Sequence, residues 1–413
     1  MSRTTTFVIV GGGLAGGKAA EALRDNDFDG HIVLLAAEER LPYERPPLSK
    51  DFLAGKKPLA DFTVNDAAWY RDHRIELQLG TTVTAIEPGK KAVTLPDGEA
   101  VAYDKLLLAT GSRPRRPRIA GADAAGVYYL RTVEDSDALK SLLRPGASLA
   151  IVGAGWIGLE VAAVARDRGV DVTVVESAKL PLLAALGPEV AEVFAALHRE
   201  HGVDLRLETA VDAITTVDDA ASGLKLGDGS TVAGDAVLVA VGAAPNVELA
   251  ESAGLAMADG GVRVDSSMRT SDPDIYAVGD IAAADNPVFG TRIRTEHWAN
   301  ALKQPAVAAR AMLGKTDESA EYRELPYFFT DQYDLGMEYV GHSAGYRRVV
   351  FRGDPKTREF TAFWLDAGDR VLAGMNVNIW EGLDDIKAVI RSRQAVNPDS
   401  LADPDRPLSD LSR

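Results

Sequence analysis

Two glycine motifs carry the chemistry that is easiest to read in this chain. The first is Phe7-Val-Ile-Val-Gly-Gly-Gly-Leu-Ala-Gly16 and the second is Leu149-Ala-Ile-Val-Gly-Ala-Gly-Trp-Ile-Gly158. Each runs from an apolar stretch into G-x-G-x-x-G and then into helix-compatible sequence. In that pattern Gly11 and Gly153 permit a tight turn, Gly13 and Gly155 let the backbone approach a pyrophosphate, and Gly16 and Gly158 let the helix pack closely on the strand. The helix start then offers unpaired N–H groups and a favourable dipole to phosphate. An acid closes the next strand in each half, Glu38 in the first and Glu176 in the second. There a carboxylate can accept hydrogen bonds from a ribose diol, and at Glu176 it favours the 2′-hydroxyl of NADH over the 2′-phosphate of NADPH. A chain that holds two dinucleotides at once is suited to passing a hydride between them.

The elements that must position these residues repeat as well. The pattern predicts strands near residues 6–10 and 31–36 around a helix at 14–24, with a later buried strand, Lys105-Leu-Leu-Leu-Ala-Thr-Gly111, ending in glycine. The second half predicts strands near 149–152 and 171–175 around a helix at 156–168, with Ala236-Val-Leu-Val-Ala-Val-Gly242 as the counterpart late strand. Both faces of these strands are apolar, as in buried parallel sheets. One internal duplication of a dinucleotide fold accounts for all of it. From about Tyr322 the sequence changes to alternating strands near 347–352, 359–365 and 370–377, which reads as a separate α+β domain. The tail, residues 397–413, is rich in Pro, Asp and Ser and reads as irregular.

Composition narrows the function classes. At 413 residues the chain is too long for one ordinary core. A net charge of −16 argues against a nucleic-acid partner, which needs a basic face. No apolar run reaches bilayer length, and Met-Ser-Arg-Thr-Thr-Thr at the start has no apolar leader core, so a cytoplasmic location and no membrane association are expected. With no cysteine, the chain has no disulfide, no thiolate-bound cluster and no redox dithiol of its own. His198 and His201 have a spacing that could share a metal, but no nearby carboxylate–histidine set completes a site. No metal site is expected, and the pair reads as a solvated helix face.

Between the glycine motifs lies Leu41-Pro-Tyr-Glu-Arg-Pro-Pro-Leu-Ser-Lys50, where two prolines stiffen a segment carrying Arg45 and Lys50. Together with both fingerprints and Ala277-Val-Gly-Asp280, this string resembles the FAD-dependent ferredoxin reductases that serve bacterial cytochromes P450 and ring-hydroxylating dioxygenases, a group distantly related to glutathione reductase. The resemblance spans nearly the whole chain. It implies an α/β protein with two Rossmann-like, glutathione reductase-like domains and a C-terminal α+β domain. The expected boundaries are 1–113 with 244–321 for FAD, 114–243 for NAD, and 322–413 for the last domain.

By the same resemblance Arg45 and Lys50 would contact FAD, with Lys50 near its reactive end, where a cation would stabilise negative charge on the reduced ring. Val83 would meet the adenine through its backbone, and Arg131 would be a further FAD contact. Asp280 would hold the ribityl chain, and Trp298, in Thr-Glu-His-Trp-Ala-Asn-Ala, would lie close to the isoalloxazine. Trp156 is either a helix–strand packing residue or, as in the relatives, an aromatic that covers the flavin until nicotinamide displaces it. Glu160 shares its helix face and would bind the nicotinamide carboxamide or pair with Lys50.

The resulting expectation is an enzyme that passes a hydride from NADH to FAD and then single electrons to a [2Fe–2S] ferredoxin serving a cytochrome P450 or other oxygenase. The missing cysteine pair closes the outlet that disulfide reductases use. Ferredoxins of this kind are usually acidic, so Arg113, Arg115, Arg116 and Arg310 are candidate docking residues. The string Tyr327-Phe-Phe-Thr-Asp-Gln332 departs from the group, which usually has Phe-Trp-Ser-Asp-Gln. Phe329 therefore stands where a tryptophan is associated with the acceptor side. A small-molecule acceptor, such as monodehydroascorbate or a quinone, and an NADH-responsive redox sensor like apoptosis-inducing factor are the competing expectations.

Overall fold

The computed structural model describes residues 4–315, 317 and 320–411. The chain forms two compact units. One comprises Met1–Arg45, Pro58–Arg113 and Ala243–Pro326, and the other Pro46–Lys57, Pro114–Gly242 and Tyr327–Arg413.

The first unit is built on a five-stranded sheet in the order Ile275–Ala277, Lys105–Leu108, Thr6–Val10, His31–Leu35, Ile75–Gln78. Every pairing in it is parallel, with Val8 opposite Val33 on one side and Leu106 on the other. Val8, Ile9, Ile32, Leu34, Leu106 and Leu107 are fully buried, as expected for strands covered on both faces. The helix Leu14–Asp25 follows the central strand. A three-stranded antiparallel sheet, Ala85–Glu87, Ala92–Thr94 and Ala100–Ala102, comes between the strands Ile75–Gln78 and Lys105–Leu108 in sequence.

The second unit repeats this plan. Its parallel sheet runs Asp204–Arg206, Asp171–Val175, Ser148–Val152, Ala236–Val239, Val127–Tyr128, with Ala150 opposite Thr173 and Val237. The helix Trp156–Asp167 follows the central strand. An antiparallel three-stranded sheet again precedes the strand that ends in glycine, here Val211–Val217, Ala220–Leu226 and Thr231–Ala233. The duplication therefore includes the antiparallel sheet. Its short strands, partly exposed and broken by turns, carry too weak an alternation to be read from sequence. The halves differ at one edge: Val127–Tyr128 precedes its fingerprint, whereas Ile275–Ala277 follows its own.

The second unit also carries the five-stranded antiparallel sheet Tyr327–Gln332, Leu335–Gly341, Val371–Val377, Glu359–Leu365, Arg348–Asp354. The helix Leu383–Ser392 rests on it where Gly374 leaves room, since a Cβ there would meet Ile386 at 2.4 Å. The tail is more ordered than its composition suggests. Asn397 caps the helix Pro398–Ala402 by accepting from the N–H groups of Asp399 and Ser400, and Arg352 donates to the carbonyls of Leu401, Pro404 and Arg406. Residues 412 and 413 of that tail lie outside the described residues. Among the described residues no helix is long and apolar enough to cross a membrane.

Trp364 is the largest fully buried side chain. Its ring meets Tyr339 edge-on, and its Nε1–H donates to the carbonyl of Leu186 at 2.9 Å. It ties the antiparallel sheet to the helical part of the same unit. Trp364→Ala is expected to lower unfolding stability by about 3–5 kcal/mol. Trp364→Phe, which mainly leaves the Leu186 carbonyl unpaired, should cost about 1–3 kcal/mol. Denaturant unfolding of the variants measures both.

Candidate functional site

The two fingerprints adopt closely matching geometry. Gly11 and Gly153 have φ of +122° and +100°, a region that favours glycine. A Cβ on Gly16 would lie 1.9 Å from the carbonyl oxygen of Gly11, and one on Gly158 would lie 2.2 Å from that of Gly153. The third glycine of each motif is thus what lets the helix sit against the turn. The second glycine faces open space: nothing lies within 4 Å of a Cβ on Gly13, and only the Ala240 carbonyl, at 4.0 Å, approaches one on Gly155. Gly13 and Gly155 are also the N-caps of their 12-residue helices, with no side-chain cap and no acid in the first turn. The helix-start N–H groups of each motif therefore face an uncrowded approach suited to a pyrophosphate.

In the first unit the acid is part of a polar cluster. Tyr43 donates its hydroxyl to Glu38 Oε2 at 2.6 Å, and Arg45 donates to Glu38 Oε1 at 2.5 Å and to the Tyr43 oxygen at 2.6 Å. Arg45 also lies over the Tyr43 ring, 4.7 Å from its centre. Arg45 and Glu38 are thus brought together at the end of the strand His31–Leu35. Tyr43, nearly fully buried, is the residue that sequence reasoning passed over, although it lies within the proline string.

Asp280 follows the strand Ile275–Ala277 in a short 3₁₀ turn, buried, and accepts from the Ser112 hydroxyl at 2.6 Å. Gln304 fixes that turn by accepting from the Gly279 N–H at 2.7 Å. Trp298 begins the helix Trp298–Met312 and donates its indole N–H to Glu44 at 2.9 Å. Val83 is buried in the core of the unit. Ser112, Gln304 and Glu44 had no local signal, because each acts on a residue distant in sequence.

In the second unit Glu176 accepts from the N–H of Ala154, within the glycine motif, at 2.8 Å and from that of Ala178 at 2.9 Å. Glu176 is therefore anchored directly on the glycine loop. Arg131 immediately precedes the capping box of Thr132 and Asp135, and its N–H donates to Asp135 at 2.9 Å. Trp156 is half-buried, with its ring edge-on to Phe194 and tilted against Phe328, centroids 5.8 and 4.9 Å apart. The ring thus meets one aromatic from the helix Pro188–Glu200 and one from the strand Tyr327–Gln332.

One helical turn after Trp156, Glu160 is only 3% exposed. It is paired with Lys50 at 2.8 Å, and it accepts hydroxyls from Thr330 at 2.6 Å and from Ser49. Three donors on a buried carboxylate are what its removal from water requires. The proline string supplies Lys50 and Ser49, and the antiparallel sheet supplies Thr330. Phe329 lies beside the same cation, its ring centre 5.4 Å from the Lys50 nitrogen. Asp331 directly follows Thr330, and burial pushes the pKa of its carboxyl upward, against the opposing pull of Lys50.

The arginine candidates already have internal partners. Arg113 bonds Asn246 and Glu248, Arg116 bonds Asp123 and stacks over Tyr129, and Arg310 bonds Asn26 and Asp317. The backbone N–H of Arg115 donates to the Gly242 carbonyl at 2.9 Å.

His198 departs from expectation. It is fully buried on the helix Pro188–Glu200, with Nε2 2.8 Å from Gln332 Oε1, and burial pulls its pKa down to about 4. His201 stacks on Tyr333 at 3.6 Å. The antiparallel sheet covers this helix face, which sequence alone presents as solvated.

Known proteins resemble this chain along nearly its whole length. Residues 5–305 match the family described as pyridine nucleotide-disulphide oxidoreductase, and residues 327–412 match a reductase C-terminal domain. The chain is 43% identical to the anthranilate 1,2-dioxygenase system ferredoxin–NAD(+) reductase component of Burkholderia cepacia, over 96% of this chain and 97% of that protein. It is 38% identical to putidaredoxin reductase of Pseudomonas putida, over 100% and 97% of the two chains. Among solved structures, the reductase in the covalent putidaredoxin reductase–putidaredoxin complex superposes with a TM-score of 0.93 at 37% identity, covering 98% of each chain.

The burial of His198 has a consequence for acid stability. Its folded pKa of about 4 lies below the ordinary 6.5, so between those values the unfolded chain binds the extra proton. Its contribution therefore falls as pH drops through that window, by up to about 3 kcal/mol. Urea unfolding between pH 7 and 4.5 should show a shallower decline for His198→Leu than for the native chain.

Proposed function

The chain belongs to the pyridine nucleotide-disulphide oxidoreductases, and on that premise we propose that it is a cytoplasmic FAD-dependent enzyme that draws electrons from NADH and delivers them singly to a [2Fe–2S] ferredoxin serving a cytochrome P450 or other oxygenase. The observation that carries this is the duplicated, open-faced phosphate turn, each copy followed by an acid, in a chain without cysteine. Two dinucleotides can be held, and the outlet that gives the family its name is absent. Relatives along nearly the whole length are named as ferredoxin reductase components of oxygenase systems.

FAD, when bound, supplies hydride acceptance and one-electron release. The chain's own residues bind and orient. We assign the FAD role to segments 1–113 and 244–321, where Gly11, Gly13 and Gly16 shape the pyrophosphate turn and Glu38 accepts a ribose hydroxyl. Arg45, held by Glu38 and Tyr43, places positive charge beside the adenosine side, with Val83 at the adenine. Asp280, fixed by Ser112, is assigned to the ribityl chain. Trp298, fixed by Glu44, and Arg131 are further FAD contacts.

Segment 114–243 takes NADH through Gly153, Gly155, Gly158 and Glu176. Because Glu176 is anchored to the loop at Ala154, its charge cannot easily swing away from a 2′-phosphate, and that selects NADH. Lys50 and Glu160 form the polar group for the nicotinamide side. Trp156 borders it on the same helix. Segment 322–413 contributes Phe329, the aromatic beside Lys50, as the residue on the acceptor side. Arg113, Arg115, Arg116 and Arg310 remain candidate docking cations. The exposed internal pairs of Arg113, Arg116 and Arg310 are weak enough to exchange for a partner's carboxylates.

Two measurements test this reading. NADH-reduced protein mixed with a panel of [2Fe–2S] ferredoxins, quinones and monodehydroascorbate should be reoxidised fastest by a ferredoxin. Rapid turnover with a small acceptor and none with any ferredoxin would sink the assignment, and a long-lived NADH complex without turnover would point to a sensor. Separately, Glu176→Arg should lower kcat/KM for NADH at least about tenfold and raise that for NADPH, the size expected from turning one attraction into a repulsion. An unchanged ratio would refute the ribose assignment.

A further inference from the structure

Behind Glu160 a line of polar side chains runs through the interior of the second unit. The Thr330 hydroxyl lies 2.6 Å from Glu160 Oε1, Gln332 Nε2 lies 3.2 Å from Thr330 Oγ1, and His198 Nε2 lies 2.8 Å from Gln332 Oε1. The Tyr333 hydroxyl is 3.5 Å from His198 Nδ1. Glu160, Thr330, Gln332 and His198 are all no more than 3% exposed. They come from a helix of the nucleotide-binding part, the hairpin strand Tyr327–Gln332 and the helix Pro188–Glu200.

A single arrangement of protons satisfies the whole line. As the partner of the Lys50 ammonium, Glu160 only accepts. The one hydroxyl proton of Thr330 must therefore point at Glu160, which leaves the Thr330 oxygen to accept from the Gln332 amide nitrogen. The Gln332 carbonyl then faces His198, so the imidazole must carry its proton on Nε2 and keep Nδ1 bare toward Tyr333. Each donor points toward Glu160. Burial keeps the imidazole neutral over the physiological range, so Nδ1 stays bare there.

We propose that His198 is a positioning residue for Glu160, acting at a distance by locking the Gln332 amide and, through it, the direction of the Thr330 hydroxyl. Without the imidazole N–H, the Gln332 amide can turn over and offer its carbonyl to Thr330. The Thr330 proton then goes to Gln332, and Glu160 loses one of the three donors that aim it at Lys50. The proposal rests on the reading of Glu160 as a nicotinamide-side group.

The test uses the FAD-loaded protein with two readouts. The first is ¹⁵N NMR of the histidine side chains, with His198 identified by its loss in His198→Leu. The second is the rate of flavin reduction by saturating NADH. His198 is expected to show a bare Nδ1 and a protonated Nε2. His198→Leu and the near-isosteric Thr330→Val should each slow reduction about tenfold, the loss expected for one hydrogen bond to a charged group.

The double variant should be no slower than either single one, because both break the same line. Thr330→Ser, which keeps the hydroxyl, should restore the rate. The opposite tautomer overturns the proposal. So does a double variant about a hundredfold slower, or a native rate in Thr330→Val while Glu160→Gln is slow. If His198→Leu does not fold, Thr330→Val with its serine rescue decides the same link, and the native tautomer is then identified from Gln332→Leu. A native rate in Glu160→Gln overturns the reading of Glu160 instead, and the tautomer alone then decides the line.

Discussion

Everything in this protein that could handle a nucleotide depends on how closely a helix can approach the turn that precedes it. In both halves the carbonyl oxygen of the first fingerprint glycine lies only 1.9 and 2.2 Å from where a Cβ on the third would stand. Only hydrogen fits there. That contact keeps the helix start at the end of the central strand, with its unpaired N–H groups presented to open space beside the second glycine. The acid at the end of the neighbouring strand is then brought to the same turn by parallel pairing, Val10 with Leu35 and Val152 with Val175. In the second half the coupling is direct, since Glu176 binds the backbone of the glycine loop itself.

The two halves use the same frame but surround their acids differently. Glu38 is held by side chains, Tyr43 and Arg45, both from the proline-stiffened segment that follows it. Glu176 is held by backbone N–H groups. Among the described contacts, Glu38 thus shares its place with a guanidinium, whereas Glu176 is met by backbone dipoles.

The antiparallel sheet shared by residues 327–377 does more than enclose a core. It delivers Thr330 to Glu160 and Gln332 to His198, and it places Phe329 beside Lys50. A buried carboxylate with a lysine partner is tolerable only when its remaining lone pairs are met by donors. Those donors come from parts of the chain more than a hundred residues away in both directions.

The sequence by itself determined the duplicated α/β plan, the glycine turns, the two acids and the chemistry closed off by the lack of cysteine. These are local or periodic features, written within a strand, a turn and a helix. Glu160 and Lys50 were legible only through a resemblance, and the resemblance left their pairing open beside a nicotinamide contact. Tertiary structure decided that pairing, the support of Asp280 by Ser112, the partners of the surface arginines, and the burial of His198, which the helix pattern presents as solvated. It also ordered a tail whose composition reads as irregular, by bringing Arg352 to three of its carbonyls. The physical reason is the same in each case. A hydrogen bond between residues far apart in sequence leaves no periodic trace in either segment, and it exists only once the sheets and helices have brought its two ends within about 3 Å.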